Sequence, residues 1–417
     1  MRILELTAAT EKKLLSTRVA HDVQAQRVAL RIACDVQRRG DSALFGWTKK
    51  LDGSEVTART LWISQKQLRD AYRRVSPDLL QAFRKAGCNI RRVAEKQLPK
   101  PWSLRIEPGV RIRQIVRPIE SVACYVPGGR ASLVSTLLMT AIPAQVAGVP
   151  RIIVACPKPN DEVLAAAQFL GIREIARMGG AQAVAALAYG TRSVPSVEKI
   201  CGPGNRYVTA AKQLASADCA IDLPAGPTEA IVLSDGGNPA WIAADLLAQA
   251  EHAPDAGSFL VTTSRKFAEQ VSAEVTAQLR MLAANNPAHD SSRRSGAILV
   301  ADSLAAACDF VNRFAPEHLS LPAQAESLLR GIRSSGTVFV GPWSAQPLGD
   351  YISGSNHVLP TAGWARRRGG LQAADFVKCI TVQEISRNGF ARLADGAETF
   401  ASAENLPAHF NAVRIRQ

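Results

Sequence analysis

A chain of 417 residues with 47% hydrophobic and 21% charged side chains is long enough for two or three domains around a large buried core, which excludes a disordered or low-complexity protein. Its formal net charge of +14 would draw anionic partners through the summed field. The positive side chains cluster at 84–117 and at Arg366-Arg367-Arg368 without the interleaved aromatics on which single-strand binders stack bases; they are read as a solvated face, and nucleic acid is not expected as a partner.

The start, MRILELTAATEKKLL, has no basic region followed by an apolar one, so no secretory leader is predicted. From Glu11 to Arg39 the apolar positions Leu14, Leu15, Val19, Val23, Val28, Ala29 and Ile32 recur at roughly three-to-four spacing, and Gly40 is a suitable stop, which predicts a helix. A second helical stretch, 64–97, leads into the proline-punctuated 99–108, so residues 1–100 read as helical. From about 111, short β-branched runs alternate with alanine-rich ones, the pattern of βαβ units on a parallel sheet. Strands are expected at 120–126, 151–156, 173–177 and 197–201, with helices at 132–147, 161–170 and 181–188. The most apolar stretch, 133–156, is broken by Ser135, Pro143, Gln145, Pro150 and Arg151 and predicts no membrane span. The pattern recurs with strands at 228–234, 258–263, 296–301 and 336–340 and helices at 239–252, 265–284 and 303–313, which makes two α/β units in succession without a residue-level repeat. The tail from 371 is expected to be helical. Eight cysteines stand singly with no C-x-x-C, which argues against a disulfide framework or a thiolate zinc site and fits a reducing cytoplasm.

The chemistry gathers around 314–319, FAPEHL, where Glu317 and His318 are adjacent in a segment that Pro316 holds out of helix. Adjacent side chains diverge in extended backbone, so the pair suits two separate proton transfers on one substrate. An exposed loop can carry such a pair as well. Glycine-rich turns follow several strands, at 127–129, 178–183 and 202–205, and amides in such turns make phosphate sites. The nearest to a dinucleotide fingerprint is Gly202-x-Gly204-x-x-Tyr207, which lacks the third glycine. On the helix 239–252, Asn238 and Pro239 form the start, Ile242, Leu246 and Leu247 the buried face, and Gln249 and His252 are expected on one face of the last turn. An imidazole and an amide oxygen suit zinc or manganese more than copper. Asp350 and His357 stand in one later loop, and Glu404 and His409 in the tail. Four of the six histidines thus lie in segments that also carry Asp, Glu or Gln.

Together these segments resemble the histidinol dehydrogenase family over nearly the whole chain. The resemblance is carried by YVPGG (125–129), GGAQAVAALAYGT (179–191), KICGPGN (199–205), DLPAGPTE (222–229), DLLAQAEH (245–252), FAPEHL (314–319), GDYISGSNHVLPT (349–361) and ENLPAHFNAVRIR (404–416). It implies one zinc ion per subunit on Gln249, His252, Asp350 and, lent by the other subunit of a homodimer, His409. It implies that Glu317 and His318 are the acid–base pair, that Tyr125, Gln182 and Asn205 contact NAD, and that Thr228, His318, His357 and a partner-lent Glu404 join the zinc ligands in contacting L-histidinol. The implied reaction is a four-electron oxidation to L-histidine through the aldehyde, with two NAD, at the end of histidine biosynthesis. The implied fold is two incomplete Rossmann-like units: an N-terminal helical segment (1–17), a first unit (18–119 and 229–371), an inserted second unit (120–228) and a C-terminal helical tail (372–417), the terminal segments exchanged between subunits. Thr228 stands where the family pattern suggests serine, and Arg206 where an apolar residue is common. Two rivals remain: a relative on the same scaffold that oxidises another primary alcohol, such as a sulfonated diol, and a catalytically idle nucleic-acid binder.

Overall fold

Two five-residue strands, EAIVL and SVACY, apolar after their first residues Glu229 and Ser121, are buried along their whole length, as strands covered by helices on both faces must be. They lie inside two parallel sheets of a computed structural model that describes residues 1–16, 18, 22–128, 133–223, 226–323 and 325–417. The larger sheet has six strands in the order β1-β11-β10-β9-β12-β13: β1 (Arg2–Glu5), β9 (Glu229–Leu233), β10 (Gly257–Thr262), β11 (Ala297–Val300), β12 (His318–Leu321) and β13 (Thr337–Val340), all parallel. The second has five, in the order β6-β5-β4-β7-β8: β4 (Ser121–Tyr125), β5 (Arg151–Ala155), β6 (Glu174–Ala176), β7 (Lys199–Cys201) and β8 (Ala220–Ile221), again parallel. The α/β class with parallel sheets is therefore as expected.

In each sheet the strand order reverses once, between β9 and β12 in the larger sheet and between β4 and β7 in the smaller. Such a break opens a crevice at the strand ends where a ligand can enter. Helices fill both faces; Val134–Ala147 is buried from Ser135 through Ala144, as a helix with no charged position can be.

Three expectations fail for local reasons. The single helix at 11–39 is two, Ala8–Ser16 and Val23–Arg39, the second opened by Asp22, whose carboxylate accepts from Ala25 N; Val19 lies outside the described residues. The stretch 64–97 divides into Gln65–Arg74 and Pro77–Gln97, because Ser76 caps and Pro77 starts the second helix. Neither terminus is purely helical. β1 adds an edge strand to the larger sheet, pairing with β11. β2 (Trp102–Glu107), β3 (Val110–Pro118) and β14 (Val377–Ile385) form a three-stranded antiparallel sheet. β14 is exposed or half-buried at every residue, so it lacks the clean in–out alternation that makes a strand legible. β12 was not anticipated either: His318 and Ser320 break its apolar run.

Candidate active site

The helix Leu304–Phe314 ends at Ala315, a non-glycine residue at φ 52°, and Pro316 forbids its continuation. Glu317 then enters the larger sheet at the amino end of β12, its carbonyl accepting from Thr337 N at 3.0 Å. The carboxylate is buried. Its Oε2 accepts from Thr228 Oγ1 at 2.5 Å and from Glu229 N, the first amide of β9, at 3.0 Å. Thr228 Oγ1 accepts in turn from Gln249 Nε2 at 2.9 Å, and Gln249 Oε1 from Gln346 Nε2 at 2.8 Å. One chain of hydrogen bonds thus links four elements and fixes which way each amide and hydroxyl points.

His318 is buried beside it, stacked on Phe339 with centroids 6.0 Å apart. Its Nδ1 lies 3.8 Å from Glu317 Oε2 and its Nε2 3.5 Å from Asp350 Oδ1, distances of charge attraction rather than hydrogen bonding. Both ring nitrogens are buried without a hydrogen-bond partner, an arrangement that is costly unless a substrate takes them up. His357 is held on both sides, Nδ1 at 2.7 Å from the Asp350 carbonyl and Nε2 at 3.3 Å from Thr136 Oγ1.

Burial raises the pKa of Glu317, opposed by His318, the Thr228 hydroxyl and the Glu229 amide. Burial works against the charge on His318, but Glu317 and Asp350 outweigh it and the imidazole is held above its usual value. Asp350 is pushed up by burial and pulled further down by His318, His357 and His252, ending below the usual carboxylate range. Burial lowers His357. Glu229, behind Glu317, is pushed up to about 7 by burial, with Arg18 pulling the other way. Neighbouring acids and imidazoles with displaced pKa values are what proton-transfer sites are built from.

Gln249 is fully buried on the last turn of Pro239–Ala250, which Asn238 caps and Pro239 opens as expected. His252 does not share that turn. The helix stops at Ala250, and His252 is exposed just beyond it, its amide 3.4 Å from the Gln249 carbonyl. It still lies near enough to act on the charges of Asp350, Glu317 and His357. Among the described residues no group of three His, Cys, Asp or Glu side chains could hold a metal. The imidazole of His252, the carboxylate of Asp350 and the amide oxygen of Gln249, which here accepts from Gln346, are donor types that suit zinc and would need a further ligand to complete four-coordination. Glu404 and His409 have no hydrogen bond or ion pair with this site among the described residues. Glu404 ends the helix Arg387–Ala403, His409 is exposed on Pro407–Arg414, and these helices pack on each other, the first also on β14. Phe400 and Ile415 on this arm are 73% and 75% exposed.

The glycine turns sit at the other sheet. Gly202 follows β7 at φ 116°, and a Cβ there would lie 2.1 Å from the Tyr125 carbonyl at the end of β4. Lys212 and Asp222, 3% and 0% exposed, form a buried ion pair that holds both backbone groups of Gly202: Lys212 Nζ donates to its carbonyl at 2.9 Å and Asp222 Oδ2 accepts from its amide at 2.7 Å. Asn205 caps the helix Arg206–Ala215 through Tyr207 N and Val208 N. Tyr125 Oη accepts from Gly180 N at 3.1 Å. Gln182 is fully buried, with Nε2 on Asp52 at 3.1 Å and Oε1 lacking a partner. The backbone cradle and the orphaned amide oxygen fit a dinucleotide at the break between β4 and β7. Gly129 of the 127–129 turn, and residues 224 and 225 beside Thr228, lie outside the described residues.

Sequence reasoning missed Arg18, Glu229, Gln346, Lys212 and Asp222; Asp222 and Glu229, the two ends of DLPAGPTE, stood where a signal existed. The arginine run proves structural. Arg366 donates to the Arg313 carbonyl, Arg367 lies over Trp364 at 4.6 Å, and Arg368 pairs with Asp375 at 2.8 Å.

A family model described as histidinol dehydrogenase matches residues 16–417. A histidinol dehydrogenase of Methanosarcina barkeri is 42% identical over 100% of this chain and 97% of its own length. One of Escherichia coli (strain K12) is 43% identical over 98% and 95%. The crystal structure of histidinol dehydrogenase from Elizabethkingia anophelis matches with a TM-score of 0.93 at 37% identity, covering 100% of this chain and 98% of that one.

Proposed function

Since this chain belongs to the histidinol dehydrogenase family, we propose that it oxidises L-histidinol to L-histidine through L-histidinaldehyde, as a cytoplasmic homodimer that uses zinc and two NAD. The observation that carries this reading is the buried Glu317–His318 pair, with one carboxylate oxygen tied to Thr228 and Glu229 and an imidazole that has no bond of its own. No helix among the described residues is long and apolar enough to cross a membrane.

Gln249, His252, Asp350 and His409 of the partner subunit would hold zinc, which when bound supplies a positive template for the substrate's nitrogens and hydroxyl. Tyr125, Gln182 and Asn205 would contact NAD, which when bound supplies the hydride acceptor for each oxidation. His318, buried beside Glu317 with neither ring nitrogen hydrogen-bonded, accepts the hydroxyl proton as the alcohol becomes aldehyde. Glu317, its proton affinity raised by burial, takes a proton from the water that adds to the aldehyde carbon. The resulting hydrate loses its second hydride and a proton to become the carboxylic acid. Thr228 holds Glu317 in place, while His357 and Glu404 of the partner subunit contact the substrate. The exposed apolar residues of the C-terminal arm support subunit exchange. The two parallel sheets support two Rossmann-like domains, 18–119 with 229–371 and an inserted 120–228, flanked by segments 1–17 and 372–417.

The test is to incubate zinc-loaded protein with L-histidinol and NAD and to count NADH formed per substrate consumed, before and after chelation. The expected result is two NADH per histidinol, lost on chelation and restored by zinc. A folded, zinc-loaded dimer that leaves histidinol untouched would keep the redox chemistry and move the substrate to another primary alcohol.

A further inference from the structure

Behind Glu317 lies a cation that the reaction does not call on directly. Arg18 is 10% exposed and ion-paired with Glu229, which is 7% exposed; its Nε donates to Glu229 Oε2 at 2.8 Å and its Nη2 reaches the other oxygen, a forked contact on one carboxylate. The same guanidinium donates to the Phe314 carbonyl, approaches the Ala315 carbonyl at 3.5 Å and lies over the Phe314 ring at 3.8 Å. These two partners are the two supports of Glu317. Glu229 carries the amide that donates to Glu317 Oε2. Phe314 and Ala315 form the left-handed turn that delivers Glu317 to the sheet. One planar group therefore joins the strand that grips the carboxylate to the turn that carries it, and neutralises the second acid buried alongside.

We propose that Arg18 is a positioning residue for Glu317, fixing the carboxylate for its attack-activating role in the aldehyde half of the reaction. This rests on the reading above, in which Glu317 activates water and His318 serves the alcohol step. Arg18 touches neither His318 nor Asp350 in the contacts described, so its loss should fall on one half-reaction.

The experiment feeds L-histidinol and L-histidinaldehyde separately, with NAD, to zinc-loaded Arg18→Met, Arg18→Lys, Glu317→Gln and the Arg18→Met/Glu317→Gln double variant. Loosening a catalytic group by about an ångström can cost ~100-fold, so Arg18→Met is expected to lose about that in kcat on the aldehyde. Its KM should stay close to the parent value, and the alcohol step within about 3-fold, the range of ordinary context effects. Arg18→Lys, a cation without the fork, should recover part of the loss. In the Glu317→Gln background Arg18→Met should add almost nothing, because residues that act as a unit are not additive. Multiplied losses in the double variant, equal losses in the two steps, or a raised KM with kcat intact would overturn the proposal. If Arg18→Met does not fold, Arg18→Lys carries the test, and parental rates on the aldehyde would overturn it. A Glu317→Gln enzyme that shows no preference for the alcohol step would instead sink the underlying division of roles.

Discussion

The two parallel sheets use their strand-order breaks at opposite ends. In the smaller sheet the glycine turns follow the carboxyl ends of β4 and β7, where Tyr125 and Gly202 meet. In the larger sheet Glu317 and His318 stand at the amino end of β12, where the first amide of the neighbouring β9 donates to Glu317. The means of support differ accordingly. The turn at 202–205 is shaped by glycines and one buried ion pair, so backbone presents itself to whatever binds. Around Glu317 and His318, side chains from at least four elements hold one another through Thr228, Gln249 and Gln346. On the proposed reaction, a cofactor that enters and leaves twice per turnover would need a preformed surface, and a base that must aim at one atom would need cross-bracing.

The largest effects expected lie at the braced end. Glu317→Gln should lower the aldehyde step by about 10²–10⁴-fold, the usual span for general-base loss, while sparing the alcohol step; His318→Asn should lower both. Stopped-flow NADH traces on each substrate read this out, and equal losses for Glu317→Gln would erase the contrast between the two residues. At the cradle end, Lys212→Met strands the Asp222 carboxylate in the interior beside Gly202. Removing one partner of a buried pair costs about 3–5 kcal/mol, to be measured by urea unfolding; a loss under about 1 kcal/mol would mean that the pair is not the turn's support.

Gly202→Ala tests the same cradle more gently. Its φ of 116° and the 2.1 Å approach to the Tyr125 carbonyl predict about 1–3 kcal/mol of strain, with KM for NAD raised and KM for histidinol unchanged. A change in the latter instead would show that the two ends are coupled. The smallest effect concerns Asp245, on the helix that carries Gln249, whose carboxyl is pushed up to about 6 by burial. Because the folded form binds its proton more tightly than the unfolded one, stability should fall as pH rises from about 4 to 6, by on the order of 1–3 kcal/mol. Asp245→Asn should flatten that slope in denaturation curves at pH 4.5 and pH 7; an unaltered slope would assign it to other groups.

Much of the scaffold was legible because strands such as Glu229–Leu233 and Ser121–Tyr125 are buried on both faces and read as short apolar runs once past Glu229 and Ser121. β14 and β2 were not, since their partly wet faces leave no clean period. At the site, adjacency pointed to Glu317 and His318, and motif resemblance to Thr228, Gln249, His252, Asp350 and His357, which the fold brings into one region. Arg18 and Gln346 were invisible: Arg18 is 211 residues from Glu229 and Gln346 is 97 from Gln249 in the chain, and no local spacing encodes such pairs. Glu404 and His409 show the converse, residues given by motif that stand on the C-terminal arm, which packs on β14.

That exposed C-terminal arm has a genetic corollary. If each arm completes a neighbour's centre, a chain disabled at Glu317 and a chain disabled at His409 carry lesions that can segregate into different centres of one mixed dimer. Co-expressed in equal amounts with random pairing, two inactive alleles should restore roughly a quarter of the centres, and two alleles both altered at Glu317 should restore none. Heredity would then treat this gene as two complementing units, although it encodes one polypeptide.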